Sequence, residues 1–173
     1  MRISFFLCIL LIANISFSRT LGETEITAED GIEVFQDDKY YLLKKNVKID
    51  SDKFVLFGDE IKIFFDKDLY DIKSINAFGN VNLISDQFNI TAEGKKLFFQ
   101  IENEEIIIEG KNSKLITDEI EMFSDKKIEV INLNGSFNLI GPNSIFKSQD
   151  ILIEGSEIDG AFSSTNDSKE IIL

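Results

Sequence analysis

A four-residue motif recurs along the chain, and this repetition constrains the fold more than any other feature. Asn-Val-Lys-Ile at 46–49 returns as Asn-Val-Asn-Leu at 80–83, as Asn-Ser-Lys-Leu at 112–115 and, more loosely, as Ser-Phe-Asn-Leu at 136–139. Each copy is followed by a short turn and a second alternating apolar run, opened by Phe54, Phe88, Ile120 and Ile145. One such unit cannot bury its apolar face alone, so the copies must stack around a shared interior. The sequence therefore predicts a repetitive β scaffold.

Apolar and polar residues alternate with period two through most of the chain. Ile61, Ile63 and Phe65 share one face, for example, and Lys62 lies on the other. This alternation is typical of half-buried strands, and no helical periodicity is sustained after Glu23. We expect a meander of about 12 to 16 short antiparallel strands folded into two facing sheets. The facing sheets could fill their interior with their own side chains, or splay and leave an apolar slot.

Turn-forming residues separate the alternating runs. Asn134-Gly135 is a strong turn signal, and Gly58-Asp59 and Gly141-Pro142-Asn143 have similar compositions. Runs between these signals are about five to ten residues long, the length of ordinary strands. Residues 163–169 are polar and rich in Ser, Asn and Asp, and this composition predicts that 163–173 is a polar, frayed C-terminal tail.

The first eighteen residues have the composition of a secretory signal peptide. Arg2 supplies a positive start, Ile3 to Ile15 is almost wholly apolar, and Ser16-Phe17-Ser18 offers small residues for cleavage. Residues 19–24 then form a short leader before the folded domain at 25–162. An uncleaved membrane anchor is the alternative interpretation, although the apolar stretch is short for a span of roughly 20 residues.

Composition argues against several classes of function. The chain has 31 acidic and 18 basic residues, a net charge of −13, and no basic patch that would predict binding to nucleic acid. It has no histidine, and its one cysteine, Cys8, lies within the signal segment. The usual bases, nucleophiles and zinc ligands are therefore missing, so we expect no enzyme activity, no cofactor and no metal. Asp66-x-Asp68-x-x-Asp71 lacks the rest of a calcium-binding loop and is interpreted as a solvated turn.

The recurrent strands resemble the OstA-like domain of the lipopolysaccharide export protein LptA family. Two strand patterns recur in that family. The first is Gly or a small residue followed by Asn, Val, any residue and an aliphatic residue. In the second, Ala or Gly and an acidic residue precede an aliphatic–aromatic pair. The likeness covers roughly residues 25–155. The matching segments are ITAEDGIEV at 26–34, KNVKI at 45–49, FGDEIKIFF at 57–65, INAFGNVNLI at 75–84, ITAEGKKLFF at 90–99, EGKNSKLI at 109–116 and NGSFNLI at 134–140.

The resemblance implies an all-β fold, an open antiparallel β-jellyroll, in the periplasm of a Gram-negative bacterium. It further implies a carrier of lipopolysaccharide that shields the acyl chains in an apolar groove and helps to bridge the inner and outer membranes. The implied partners are lipopolysaccharide and the OstA-like domains of inner- and outer-membrane transport components. Protomers of the family associate end to end through strand pairing.

Residues for the groove and for docking can be proposed on this basis. The positions expected on the groove side are Val34, Leu43, Val47, Ile49, Phe54, Leu56, Ile61, Ile63, Phe65, Val81, Leu83, Phe88, Ile90, Leu97, Phe99, Leu115, Ile120, Met122, Phe137 and Leu139. The expected docking edges are the first and last strands, represented by Ile26, Ile32, Val34, Ile151 and Ile153.

Three other interpretations remain open from the sequence. An LptC-like relative would carry the same domain behind an uncleaved inner-membrane anchor. A structural β-solenoid or surface adhesin would have a closed interior that binds no lipid. A carbohydrate-active jelly roll would need acidic pairs lining a cleft, and no pair is positioned for this by the sequence.

Overall fold

Every regular element of the protein is a β-strand in the computed structural model, which describes residues 24–67, 71–165 and 168–172. The strands are β1 (Glu25–Thr27), β2 (Ile32–Phe35), β3 (Tyr40–Asp50), β4 (Val55–Phe65), β5 (Ile72–Ser85), β6 (Ile90–Gln100), β7 (Glu105–Glu109), β8 (Ser113–Ile116), β9 (Ile120–Ser124), β10 (Lys127–Ile131), β11 (Ser136–Ser148), β12 (Ile151–Thr165) and β13 (Ser168–Ile172). The predicted signal peptide at 1–18 and residues 19–23 of the leader lie outside the described residues. Within the described segments, no helix has the length and hydropathy needed to cross a bilayer.

The strands form one antiparallel sheet that is folded over along its middle. The N-terminal part of β3 and the C-terminal part of β4 belong to the first half-sheet, whose order is β2-β3-β4-β5-β6-β7-β10-β11-β12-β13. The second half-sheet has the order β1-β3-β4-β5-β6-β8-β9-β11-β12. Long strands therefore cross from one half-sheet to the other, and the all-β open antiparallel jellyroll expected from the sequence is confirmed.

A line of bends separates the two half-sheets. The pairing register shifts at the bend in β3, β4, β5 and β11, between Lys44 and Val47 in β3 for example. The backbone at the bends adopts positive φ angles that most L-residues avoid, at Lys45, Asn46, Gly79, Asn80, Gly110, Asn112 and Gly141. Extra residues at the register shifts in β3, β4, β5 and β11 are β-bulges, which bend a strand and increase its twist.

The repeated asparagine of the sequence motif marks this bend. Asn46, Asn80 and Asn112 begin three copies, and their φ angles are 46°, 47° and 60°. The fourth copy of the motif, predicted at 136–139, does not lie at a bend as the other three do, because the bend of β11 lies between Ile140 and Ser144. Its structural counterpart is Asn143-Ser144, which repeats Asn112-Ser113 in having a buried serine whose hydroxyl donates to a glycine carbonyl three residues earlier.

Side-chain hydrogen bonds join neighbouring bends on the outer side of the fold. Asn80 donates to the Asp59 carboxylate at 2.9 Å, and Asn143 donates to the Asp125 carboxylate at 2.6 Å. Asp125 also accepts a hydrogen bond from the Asn112 backbone N–H. These hydrogen bonds, with that from Asn143 the largest influence, lower the pKa of Asp125 because they favour the charged carboxylate. The bends are therefore linked to one another as well as being locally strained.

Two rows of cross-strand neighbours form the core beside the bend. One row crosses the first half-sheet through Leu43, Ile61, Ala77, Leu97, Ile108, Ile128, Leu139 and Ile158. The other crosses the second half-sheet through Ile49, Leu56, Leu83, Ala92, Leu115, Met122, Phe146 and Ile153. All members except Leu83 and Ile153 are buried. Burial of these facing rows holds the two half-sheets together.

The structure differs from the sequence expectations at two turns and at the C-terminus. Gly58-Asp59 and Gly141-Pro142-Asn143 lie at bends within β4 and β11, so the strands are longer than expected. The chain from 163 onwards was predicted to fray, yet β12 continues to Thr165 and pairs with β13. The edge of β12 allows this pairing, because its backbone N–H and C=O groups can hydrogen-bond an added strand whatever the side chains of that strand are.

Candidate functional site

The interior opens into a groove on the side of the core away from the bend. The next row of inward residues in the first half-sheet is Tyr41, Ile63, Ile75, Phe99, Ile106, Val130 and Phe137. Tyr41, Phe99, Ile106 and Val130 are only half-buried, whereas their neighbours one row closer to the bend are buried. The interior is therefore packed solid at the bend and becomes accessible towards the free ends of the strands.

Three adjoining cavities lie along this opening. The first, of about 320 Å³, lies near the N-terminal end of the sheet and is lined by Ile26, Ile49, Ile63 and Ile72 among others. A narrow cavity of about 130 Å³ follows, with a wholly apolar surface that includes Leu83, Ile90 and Ile106. The third and largest, about 590 Å³, is lined by Ile120, Val130, Leu133 and Phe162.

Shared lining residues make the three cavities one groove. Phe54, Ile75 and Phe99 line both the first and the narrow cavity, and Phe88 lines both the narrow and the third cavity. The groove therefore runs across the strands from β1 to β12, with its narrowest point in the middle. Its floor is hydrocarbon, and polar residues lie on its edges.

Aromatic rings close the interior near the C-terminal end of the groove. The ring of Phe137 stacks on that of Phe146, and Phe162 packs against Phe137 with ring centroids 5.0 Å apart. Phe162 also lines the third cavity. The cluster supports the wall of this cavity with rigid side chains that lose little conformational freedom.

The residues predicted on the groove side fall into three groups by burial. Those buried in the core are Leu43, Val47, Ile49, Leu56, Ile61, Ile63, Phe65, Val81, Leu97, Leu115, Met122, Phe137 and Leu139. The half-buried residues at the opening are Phe54, Leu83, Ile90, Phe99 and Ile120. Val34 and Phe88 are exposed, by 48% and 57% respectively. Many positions expected along the groove therefore pack the core beneath it.

The two exposed residues have different structural reasons for their exposure. Val34 pairs with the inward-facing Tyr41, but its strand β2 is an edge strand that has β3 on one side and no other described strand paired with it. Phe88 lies in the turn between β5 and β6 rather than in a strand, because β6 begins only at Ile90. Both side chains remain at the boundary of the interior, and Phe88 projects over the groove.

Several groove residues were not in the predicted set. Ile75, Ile106, Val130 and Phe162 line the cavities. Ile106 was hidden in the continuous run Ile106-Ile107-Ile108, which does not show period-two alternation. Phe162 was placed at the very end of the predicted domain, where no partner strand was expected. Ile75 alternates with its neighbours in the sequence, and this pattern could have identified it as an inward-facing residue.

The expected docking edges lie at opposite ends of the sheet. Ile26 lies in β1, and Ile32 and Val34 lie in β2; among the described strands, β1 and β2 each pair with β3 alone. At the other end, Ile151 and Ile153 lie in the part of β12 that pairs with β11 and has no second neighbour among the described strands. Ile32 and Ile151 are exposed by 51% and 41%.

The charged groups do not assemble into a catalytic or metal centre within the described parts of the chain. These residues include no group of three or more His, Cys, Asp or Glu side chains arranged to hold a metal ion. Of the aspartates interpreted as a solvated turn, Asp68 lies outside the described residues, and the backbone N–H of Asp66 donates a hydrogen bond to the Asp71 carbonyl. Away from the groove, Asp30 raises the pKa of Lys45 by a hydrogen bond and by its charge.

The bent sheet with its open groove places the chain in a definite structural class, the LptA-like fold. A solved structure that it resembles is LptH, the LptA-homologous periplasmic component of the lipopolysaccharide transport device from Pseudomonas aeruginosa. The two superpose with a TM-score of 0.53 over 87% of this chain and 94% of that chain, at 12% sequence identity. No protein-family model matches the sequence, and neither does any curated protein. At this identity the likeness establishes the fold.

Proposed function

We propose that the protein is a periplasmic carrier that shields the acyl chains of lipopolysaccharide in its groove and helps to bridge the inner and outer membranes. The observation that supports this most is the continuous apolar groove, on a fold shared with the periplasmic transport component LptH. A groove open along its length suits a ligand with apolar chains and a head that remains in water. A carrier needs no reacting groups, which agrees with a site built from hydrocarbon side chains.

The energetics of the groove suit transport. Burial of each methylene group stabilises a complex by about 0.8 kcal/mol, so one acyl chain gains several kcal/mol before the costs of association. The narrow cavity is bordered by Phe54 on one side and Phe88 on the other, and wider cavities follow at both ends. Successive weak binding sites of similar affinity would allow an acyl chain to move along the groove without being held at one tight site.

Docking of like domains through the sheet edges completes the proposal. Edges β1 and β2 at one end and β12 at the other carry unpaired backbone groups and exposed apolar side chains such as Ile32 and Ile151. Strand pairing between the ends of two domains would extend the sheet and align their grooves. The partners in this proposal are further copies of the chain and OstA-like domains of the membrane components.

Site-specific photo-crosslinking tests lipid binding directly. A photoreactive phenylalanine analogue at Phe99 would lie in the groove, whereas the same group at Phe98 would lie on the opposite face of the same strand, where Phe98 packs edge-on against Phe78. We expect lipopolysaccharide to crosslink at position 99 in cells and not at position 98. Absence of a crosslink at 99, or equal crosslinking at both positions, would rule the proposal out and favour a closed structural domain.

A further inference from the structure

Two turns of similar sequence place phenylalanine residues at the opening of the groove. The turns are Ser51-Asp52-Lys53-Phe54 and Ser85-Asp86-Gln87-Phe88, in which an aromatic residue follows a serine after three positions. In both turns the serine hydroxyl accepts a hydrogen bond from the backbone N–H of the phenylalanine, at 3.1 Å in the first turn and 3.3 Å in the second. The two phenylalanines therefore occupy equivalent positions in two like turns.

The two phenylalanines differ in how the cavities on either side of them are joined. The first cavity, of about 320 Å³, and the narrow cavity, of about 130 Å³, share Phe54 and also Ile75 and Phe99 from the facing half-sheet. The narrow cavity and the largest cavity, of about 590 Å³, have one described lining residue in common, which is Phe88. The groove therefore continues past Phe54 along other residues, whereas Phe88 alone borders both of the parts that meet beside it.

Hydrogen bonds to the turns on both sides hold the turn of Phe88 in position. Ser85 is buried, and its hydroxyl donates a hydrogen bond to the Lys53 carbonyl at 2.6 Å. On the other side, the side-chain amide of Asn89 donates to the Asp118 carboxylate at 2.5 Å. Phe88 itself is 57% exposed, so its ring adds little to the packing of the core. A large ring fixed at the junction of two cavities, yet not needed to fill the core, favours a role in the groove.

We propose that Phe88 divides the groove into two acyl-binding compartments and so limits the length of the chain that each compartment holds. This inference rests on the proposed function, since it concerns how the same groove takes acyl chains. One compartment consists of the first and narrow cavities, and the other is the largest cavity. The ligand that suits this arrangement is a lipid with several shorter chains on one head, rather than a lipid with a single long chain. A chain crosses from one compartment to the other only when the ring of Phe88 moves aside.

Binding of single-chain probes of increasing length to the purified protein tests this division. The probes carry one saturated acyl chain on the same uncharged fluorescent head, and their binding is followed by fluorescence anisotropy at concentrations too low for micelles. We expect the affinity of the parent to rise about fourfold with each added methylene until the compartment is filled, and then to stay constant. In Phe88→Ala the rise should continue to longer chains, because the chain can enter the adjoining cavity. The same limiting length in both proteins, or a parent affinity that rises without a limit, would overturn the proposal.

Two control variants make the test specific to the ring of Phe88. Phe54→Ala removes the equivalent ring from the like turn, where Ile75 and Phe99 already join the cavities. It should weaken the binding of all probes and leave the limiting chain length as it is in the parent. Phe88→Tyr keeps an aromatic ring at the junction and should also keep the limit. A longer limit in either control would overturn the proposal. Binding of none of the probes by the parent would instead overturn the proposed function itself.

Discussion

Phe137 and Phe146 belong to the same strand, β11, yet their rings stack with centroids 4.8 Å apart and planes inclined by 7°. In a straight strand, residues nine positions apart would be separated by roughly 30 Å. The bend at Gly141 folds the strand back on itself, so that one residue from each half-sheet comes into contact with the other. This stack shows that the two halves of one folded sheet enclose an interior, as two separate sheets do in a sandwich.

Truncation of Phe146 tests the contribution of this contact to stability. Phe146 is fully buried between the half-sheets, so Phe146→Ala removes apolar burial and leaves a cavity. We expect the free energy of unfolding to fall by about 3–5 kcal/mol, measured by urea denaturation. Phe57→Ala is the control, since Phe57 is 37% exposed on the outer face, and it should cost less than about 1 kcal/mol. Similar losses in both variants would contradict the central position of the stack.

Substitution of Gly79 tests the bend itself. Gly79 has a φ angle of +71°, and an added Cβ would lie 2.3 Å from a carboxylate oxygen of Asp59, which accepts a hydrogen bond from Asn80. Gly31 has a similar φ of +80° but nothing within 4 Å of the added Cβ. Both alanine variants therefore bear the backbone strain, and only Gly79→Ala also displaces Asp59.

We expect Gly79→Ala to lower the free energy of unfolding by at least about 1 kcal/mol more than Gly31→Ala. The double variant Gly79→Ala/Asp59→Ala should recover part of the loss, because it removes the two Asp59 atoms nearest to the added Cβ and leaves the Asp59 Cβ, at 2.9 Å. Equal effects of the two single variants, read from urea midpoints, would show that close packing at the bend is unimportant.

The hydrogen bonds at Asp125 predict a pH dependence of stability. Its pKa is lower in the folded protein than its ordinary value of 3.8, so the hydrogen-bonded carboxylate stabilises the fold above that value. This contribution is lost as the pH falls through the lowered pKa, because the protonated group no longer binds Asn143 and Asn112 as a charged acceptor. The stability difference between the parent and Asp125→Asn should therefore be larger at about pH 7 than at about pH 3, by urea denaturation at each pH. A difference independent of pH would contradict this account.

Blocking the narrow part of the groove should reduce lipid binding without unfolding the protein. Leu83 faces the narrow cavity, and its neighbour Ile84 faces outward and is 37% exposed. We expect Leu83→Trp to fill the cavity and to lower the affinity for a fluorescent fatty acyl probe by about tenfold, the effect of losing burial of about two methylene groups. Ile84→Trp should bind as the parent does. Unchanged binding by Leu83→Trp would place the acyl chains elsewhere.

A charge at the N-terminal edge should weaken end-to-end association. Val34 lies on the uncovered strand β2 and is 48% exposed, so Val34→Lys introduces a charge where an incoming strand would pack. We expect the concentration dependence of the molar mass in light scattering to be reduced. Leu133→Lys, at a 71% exposed turn residue, changes the charge equally and should have no effect. A parent protein that stays monomeric at high concentration would contradict docking through this edge.

The sequence predicted much of the fold because alternation is a local property. The shared face of Ile61, Ile63 and Phe65 and the turn at Asn134-Gly135 are both present in the structure. The repeat was also informative, since its asparagines occupy the bends. The turn signals at Gly58-Asp59 and Gly141-Pro142-Asn143 were misjudged, because Gly and Asn have the same local signature in a turn between strands and in a bend within a strand. At Gly58-Asp59 the chain continues into the same strand, because neighbouring strands on both sides remain paired.

The groove shows a similar division between local and long-range information. Leu97 and Phe99 alternate identically in sequence and both line the narrow cavity, yet Leu97 is buried and Phe99 is half-buried at the opening. Their difference lies in distance from the bend, which no local pattern records. The positions of Val34 and Phe88 at the boundary likewise depend on which strands end beside them.

Strand content, inward faces and the repeating unit are set by short-range preferences that each segment carries along its own length. The fold-over of the sheet, the packed floor and the open groove arise only when all strands pair, since the depth of a side chain depends on the half-sheet facing it. Hydrophobic burial is non-directional. It stabilises any arrangement that removes these side chains from water, and the linked bends determine that the arrangement formed is the one that leaves a groove.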